Sequence, residues 1–226
     1  RLWTVDAQAM TAAAQPLTTQ PMGQPGSVLQ AQGEIHAIAF SQQPTRLFAG
    51  SYAGAVHCWD VATGQHLDTF HIPGDPRIKS IAVSPDGQFL AVGSHNATIA
   101  LWEVAPHRLR ELQGHTAWIW TVAFHPSGQF LASGSFDRTV RLWHLPSGAL
   151  YETLPHLTSL VQVIAFSPDG NRLAVGMGDA TIYLWATNGL IQTPVTSPTL
   201  IAKLQGHADL IQGLAFTHDS ALLASA

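Results

Sequence analysis

The sequence predicts an all-β protein assembled from repeated four-stranded antiparallel sheets. Three observations carry that prediction. Trp59, Trp102, Trp143 and Trp185 recur at spacings of 43, 41 and 42 residues, and a fixed period of about 40–45 residues marks a repeat architecture. Each Trp closes the same phrase, clearest in VAFHPSGQFLASGSFDRTVRLW (122–143) and repeated as IAFSQQPTRLFAGSYAGAVHCW (38–59), IAVSPDGQFLAVGSHNATIALW (81–102) and IAFSPDGNRLAVGMGDATIYLW (164–185). Each phrase contains three short apolar runs separated by turn-forming residues.

In the third copy the runs are Ile119–Phe124, Gln129–Gly134 and Thr139–Trp143, broken by Pro126-Ser127-Gly128 and by Phe136-Asp137-Arg138. Runs of about five residues rich in Val, Ile, Phe and Trp, bounded by Gly, Pro or Asp, read as strands. A weaker fourth run follows each Trp: His66–Phe70, Arg108–Leu112, Ala149–Leu154 and Leu200–Leu204. Four strands joined by tight turns make an antiparallel meander with two apolar faces. One such sheet cannot bury both faces, and radial stacking of sheets into a β-propeller solves the problem.

Complete blades are expected at about 35–70, 78–112, 119–154 and 161–204, with half-blades at 1–32 and 211–226. Arg1-Leu2-Trp3 matches Arg141-Leu142-Trp143, inside a third strand, and Leu222–Ala226 matches the second strand at Phe130–Ser135. The expectation is a piece of a longer propeller; the alternative is a closed five-bladed ring in which the two half-blades complete each other. Two stretches interrupt the period, at 6–27 and 187–199, and both are rich in Pro, Thr and other loop formers. They read as flexible loops that should emerge on one face, because both lie between a third and a fourth strand.

Further motifs bring a family into view: Gly114-His115, Gly206-His207, the Ser-Pro-Asp-Gly turns at 84–87 and 167–170, Leu-Ala-Ser-Gly-Ser at 131–135, and Trp59-Asp60. With these the chain resembles the WD-repeat β-propellers over roughly residues 28–226. The Trp-Asp pair itself survives once, having drifted to Trp102-Glu103, Trp143-His144 and Trp185-Ala186. The resemblance implies a non-catalytic scaffold that binds proteins or peptide segments. The regularity of the repeats is similar to that of bacterial, especially cyanobacterial, members. Some of those carry a nucleotide-binding or kinase module, which leaves open a sensing or recruiting role within a larger signalling NTPase or kinase. A cytoplasmic location and no cofactor are expected.

Composition narrows the classes. Charged residues make up 11% of the 226, against about 25% in an ordinary domain, and the formal net charge is −4. Lys and Arg form no cluster, which argues against a nucleic-acid surface. No apolar run reaches the ~18 residues of a membrane span. The single cysteine, Cys58, excludes an intramolecular disulfide and reads as a small buried hydrophobe beside Trp59.

His115, Ser133 and Asp137 fall within one repeat and could pass for a hydrolytic triad. The resemblance implies otherwise: with Trp143 they form a buried hydrogen-bonded set that holds the blade together, to which Asp179 and Trp185 of the fourth copy are also expected to belong. The set varies between copies. Its Asp place holds Ala53, Asn96, Asp137 and Asp179, its Ser place Ala49, Val92, Ser133 and Val175, and its His place has only a shifted His156 in the fourth copy. No Gly-x-Ser-x-Gly elbow or phosphate loop accompanies it. The twelve histidines lack zinc-ligand spacing, the nearest pairs being His66/His71 and His107/His115. An enzyme with a channel site would need inward carboxylates or metal ligands, and the four first strands carry no acidic residue.

In the family, partners dock on the face made by the fourth-to-first and second-to-third strand loops. Carried onto this chain, that face receives Glu34, His36 and Tyr52; Arg77, Lys79 and His95; Trp118, Trp120 and Phe136; Leu160, Gln162 and Gly178; and Leu210 and Gln212. Trp118 and Trp120 are the only tryptophans outside the third-strand positions. They are expected to point the same way, near Phe136, as an aromatic patch with basic neighbours.

Overall fold

The computed structural model describes residues 29, 31, 33–42, 45–72, 74, 77–155, 157–192 and 194–226. Trp3, the insertion at 6–27, His156 and, apart from residues 29 and 31, the half-blade at 1–32 lie outside these.

Turn chemistry sets the strand ends. The first sheet runs β1 (Ile35–Gln42), β2 (Thr45–Ser51), β3 (Ala55–Asp60) and β4 (His66–His71). The second holds β5 (Ile78–Val83), β6 (Phe89–Ser94), β7 (Thr98–Glu103) and β8 (Arg108–Gln113). The third holds β9 (Ile119–Phe124), β10 (Phe130–Ser135), β11 (Val140–His144) and β12 (Ala149–Leu154). The fourth holds β13 (Val161–Phe166), β14 (Arg172–Met177), β15 (Ile182–Ala186) and β16 (Thr199–Leu204). A two-stranded sheet, β17 (Leu214–Phe216) and β18 (Leu223–Ser225), follows. Within each sheet the strands pair in sequence order and antiparallel.

Two kinds of turn recur. Between first and second strands, the Ser84 hydroxyl accepts from Phe89 N at 2.8 Å and the Asp86 carboxylate from Gln88 N at 3.0 Å, with Gly87 at φ 70°. Ser167 and Asp169 repeat this, and the hydrogen bond from Ser167 leads in lowering the Asp169 pKa to about 2. Between second and third strands, Asn96, Asp137 and Asp179 each accept from the backbone N–H two residues on, and the intervening Ala97, Arg138 and Ala180 adopt φ between 62° and 65°. This is the Asx-turn role of short polar side chains.

The cores lie between successive sheets. Phe48, Val56, Cys58 and Phe70 of the first sheet meet Ile78, Ile81 and Leu90 of the second. Ile99, Leu101 and Leu112 meet Ile119, Leu131 and Trp143. Phe130, Leu142 and Leu154 meet Val161, Leu173 and Trp185. Full burial of each such side chain is worth about 1.5–3 kcal/mol. Burial leads in pushing the Cys58 thiol up to about 11, so it stays an uncharged packing residue. At either end of the row apolar side chains lie open, with Ile38 63% and Leu222 68% exposed.

The stretch at 187–199 departs from a flexible loop. It contains a 3₁₀ turn, Asn188–Ile191, and Leu190 is fully buried against the third-interface core. The Thr187 hydroxyl donates to Gly170 O at 2.7 Å. An apolar side chain that reaches the core supplies the ordering that Pro/Thr composition does not advertise.

The blades pack tightly at one repeated place. Gly50, Gly93, Gly134 and Gly176, on the second strands, face Ile78, Ile119, Val161 and Ile211 of the next blade, and a methyl on any of them would collide with that side chain. His125 makes a second link: its Nε2–H donates to Gly170 O at 2.9 Å across the interface, while Nδ1 accepts from Ser127 N at 3.0 Å. Burial lowers its pKa, outweighing the Gly170 carbonyl, which raises it.

Two outcomes follow. Gly134→Ala, which drives the new methyl onto Val161 and Thr121, should cost about 1–3 kcal/mol by overpacking, read as a lowered urea midpoint. For His125, the folded pKa lies below the unfolded value of 6.5, so its contribution is whole above pH 6.5 and is lost as pH falls towards the folded pKa. His57, lowered first by burial and then by His66 and His71, adds the same sign. Thermal melts should therefore fall between pH 7 and pH 5 (about the ordinary His range), and less steeply in the His125→Ser, Ser127→Asp double variant. An unchanged slope in that variant would exclude His125 as the source.

Candidate functional site

The loops of the candidate face are drawn together by one backbone bond per blade. Tyr52 N donates to Glu34 O at 2.8 Å, His95 N to Arg77 O at 3.3 Å, Phe136 N to Trp118 O at 2.9 Å and Gly178 N to Leu160 O at 2.9 Å. Each bond places the residue after the second strand beside the residue before the first. The next residue but one is shaped by a β-bulge: pairing skips His36, Lys79, Trp120 and Gln162 in turn. An extra residue bends the strand and re-aims its side chain. The simple strand alternation expected for Trp118 and Trp120 is thus replaced: Trp118 precedes β9 and Trp120 is the bulge residue.

These backbone devices assemble a continuous aromatic row across three blades. The His36 ring lies 4.8 Å from Tyr52, and Tyr52 lies 6.1 Å from His95 in an edge contact. His95 stacks on Trp118 at 4.1 Å with 3° between planes. Phe136 stacks on Trp118 at 5.7 Å and on Trp120 at 4.5 Å. Lys79 closes the row, its ammonium 5.4 Å from the Tyr52 ring and 4.8 Å from the Trp120 ring, and the Arg77 guanidinium lies 5.9 Å from Tyr52. Trp118 remains 43% exposed despite its contacts. His95, Asn96, Thr116, Trp118 and Phe136 border an open cleft of about 440 Å³ between the second and third blades.

The other expected face residues sit around this row. Glu34 pairs with His36 at 3.4 Å. Leu160, Gln162 and Gly178 occupy the same places in the fourth blade, but Gly178 supplies no ring and Leu160 no aromatic surface. Leu210 and Gln212 flank buried Ile211 ahead of β17.

Beneath the row lies the buried polar set of the third blade. Trp143 Nε1–H donates to Ser133 Oγ at 2.9 Å, Ser133 bonds His115 Nε2 at 2.7 Å, and His115 Nδ1 bonds Asp137 Oδ2 at 2.7 Å. Asp137 also accepts from Thr139 Oγ1 and from Thr116 N, at 2.6 and 3.1 Å. Burial works to raise its pKa, but the hydrogen bonds from His115 and Thr139 and the His115 charge hold the carboxyl well below the usual range. The Ser133 hydroxyl is fully enclosed, with no nucleophile's access to a substrate. The arrangement satisfies polar groups and ties the Asp137 turn to the Thr116 loop.

The set is not repeated in the fourth blade. Trp185 Nε1 is buried without a hydrogen-bond partner, as is Trp102 Nε1, so Trp185 is packing rather than a member of a hydrogen-bonded set. Val175 and Val92 stand where Ser133 would accept. Asp179 is engaged differently, accepting from Thr158 Oγ1 at 2.9 Å, which in turn meets the Tyr183 hydroxyl at 3.2 Å. A pair not anticipated from sequence recurs in the last sheet, His207 Nε2 to Ser225 Oγ at 2.7 Å. The 92-residue offset from His115 and Ser133 is identical for both partners, and that periodicity could have revealed it. Among the described residues no group of three or more His, Cys, Asp or Glu is placed to hold a metal ion.

Ser133→Ala should cost about 1–3 kcal/mol, because His115 Nε2 and Trp143 Nε1 lose their shared buried partner. Ser225→Ala should cost less, since His207 is exposed and water can replace the hydroxyl. Equal losses in urea unfolding would contradict the assignment of the third-blade set as buried and cooperative.

Comparison with known proteins agrees with this architecture. The WD domain, G-beta repeat family matches residues 23–60, 64–103, 106–144 and 148–186. A curated relative, the "Anaphase-promoting complex subunit cdc20" of Dictyostelium discoideum, is 39% identical over 62 residues, a stretch covering 26% of this chain and 12% of that protein. The match is thus a short segment of a much longer relative. Four family repeats, each ending one residue past a third-strand Trp, span more than half of the chain, and the chain belongs to the WD domain, G-beta repeat family.

Proposed function

We propose that this chain is a non-catalytic protein-interaction scaffold that docks a protein or peptide segment on the face bearing Trp118, Trp120 and Phe136. WD repeats generally mediate protein–protein interaction, and no enzyme family is indicated by the match. The single observation that carries the reading is the aromatic row. Large rings on neighbouring blades lie stacked in line, and Trp118 keeps 43% of its surface open. Open clusters of Trp, Tyr and Arg are the composition of interface hot spots.

The enclosed Ser133, the absence of acidic residues from the first strands and the engagement of Asp137 within the blade all favour a scaffold over a hydrolase. Arg77, Lys79, His95, Glu34, His36, Tyr52, Leu160 and Gln162 form the surroundings of the contact. The wider reading, in which the repeats recruit partners for a larger NTPase or kinase of bacterial type, rests on the resemblance of the repeats alone.

The Trp118→Ala, Trp120→Ala double variant should weaken partner binding by roughly 30-fold or more, the scale of a hot-spot loss of about 2 kcal/mol. Its melting temperature should stay within a few degrees of the parent. A large fall in melting temperature would identify the rings as core and overturn the reading. Binding should also decline only gently with salt, in contrast to the steep dependence of phosphate-driven association.

A further inference from the structure

Building on the reading of this face as a peptide-docking surface, we infer that its partner is an acidic-aromatic segment, with a carboxylate anchored on Lys79 and a bulky apolar side chain in the cleft beside Trp118. The starting point is the environment of Lys79. Its ammonium lies between two ring faces, 4.8 Å from Trp120 and 5.4 Å from Tyr52. Among the described residues no carboxylate or other hydrogen-bond acceptor reaches it. The rings attract the cation, but they accept none of its three N–H donors in the way an oxygen does. Lys79 is thus oriented and partly shielded from water, with its donors unspent.

Orientation matters because lysine normally loses much side-chain freedom on binding. Here two aromatic walls and the bulge at position 79 have already restricted that freedom. A preorganised cation costs less to engage. Partial shielding by rings also strengthens its attraction for an incoming charge relative to a fully hydrated lysine.

The second element adjoins the first. Trp120 stacks on Phe136, and Phe136 stacks on Trp118, whose far side is closed by His95. The cleft bordered by these residues opens one ring away from Lys79. A carboxylate and an apolar side chain at nearby positions of one extended segment match this pair of features. The chain as a whole carries a net charge of −4, so the acidic anchor must be read by this local cation rather than by long-range attraction. A phosphate would favour the bidentate fork of clustered arginines, and a nucleic-acid strand would require a basic groove along the rings; the described face offers one lysine and one arginine.

The test uses the full chain and a phage-displayed library of random linear peptides. The parent should enrich sequences in which Asp or Glu stands near Trp, Phe or Leu. Synthetic peptides of the selected sequence should lose roughly tenfold or more in affinity against Lys79→Met, with the melting temperature unchanged. Lys79→Glu selection should shift towards basic peptides. Enriched peptides without acidic residues, or equal binding by Lys79→Met, would overturn the acidic anchor while leaving the aromatic face intact, provided that Trp118→Ala, Trp120→Ala abolishes their binding. Peptides that bind that double variant as well as the parent, or no enrichment at all, would remove the docking face and the anchor together. Tight, Lys79-dependent binding of an oligothymidine would replace the peptide with a nucleic-acid strand.

Discussion

The contact on which the rest of this structure depends is a missing side chain. On each second strand a glycine, Gly50, Gly93, Gly134 or Gly176, lets the next blade bring Ile78, Ile119, Val161 or Ile211 against the backbone. Any Cβ at these places would hold neighbouring first strands apart. The interblade cores would then loosen, since the same spacing sets the packing of Phe48 and Ile81 within the first core, Leu101 and Val122 within the second and Leu142 and Val161 within the third. Interior packing tolerates little of this, because a gap of a fraction of an ångström already forfeits much of the dispersion gained. The glycine and its β-branched partner therefore fix where each blade stands, and the loops of the candidate face inherit that position.

The interlock has a covalent counterpart. The family repeats end at Asp60, Glu103, His144 and Ala186, each at the close of a third strand, so each later repeat opens with the fourth strand of the preceding sheet. Sequence repeat and structural blade are out of phase by one strand. A blade cannot then form without the linking segments on both sides, and stability spreads between neighbours as in other repeat architectures. His107, reaching from the third-to-fourth strand loop of the second blade to Asp68 at 2.7 Å and stacking on Phe70, reinforces the same junction at its outer rim.

Much of this was legible because repeats are written in punctuation. Gly87, Gly128 and Gly170 hold positive φ, and only a few residue types can occupy such places or cap such turns. Their spacing thus reports strand boundaries directly. The hydrogen-bonded set around His115 was legible through the resemblance to the WD repeats, and its variation between copies told against a hydrolytic triad. What escaped was whatever depends on pairing register. No residue type marks the bulges at His36, Lys79, Trp120 and Gln162, yet they decide where those side chains point. Trp185 looked like a member of the polar set because its indole is present, while the acceptor is absent: Val175 leaves Nε1 unsatisfied. Leu190 illustrates a third kind of failure, an apolar residue in a Pro/Thr-rich stretch whose burial is decided by the surface that happens to lie beneath it.

The two features that set the third blade apart belong together. It alone joins His, Ser, Asp and Trp in one closed set among the described blades, and it alone places two tryptophans and a phenylalanine at the loops. Asp137 links them: it follows Phe136 directly, and its carboxylate holds Thr116 N, two residues before Trp118. The bond from Phe136 N to Trp118 O completes the tie. The rings therefore stand on a loop pair tied by both a side-chain and a backbone hydrogen bond. An interface built on held aromatic side chains loses little entropy when a partner arrives. In the fourth blade Val175 has removed the polar set, and Gly178 has removed the ring. In the third blade the buried hydrogen bonds thus lie on the same loop pair as the aromatic cluster on which docking is proposed.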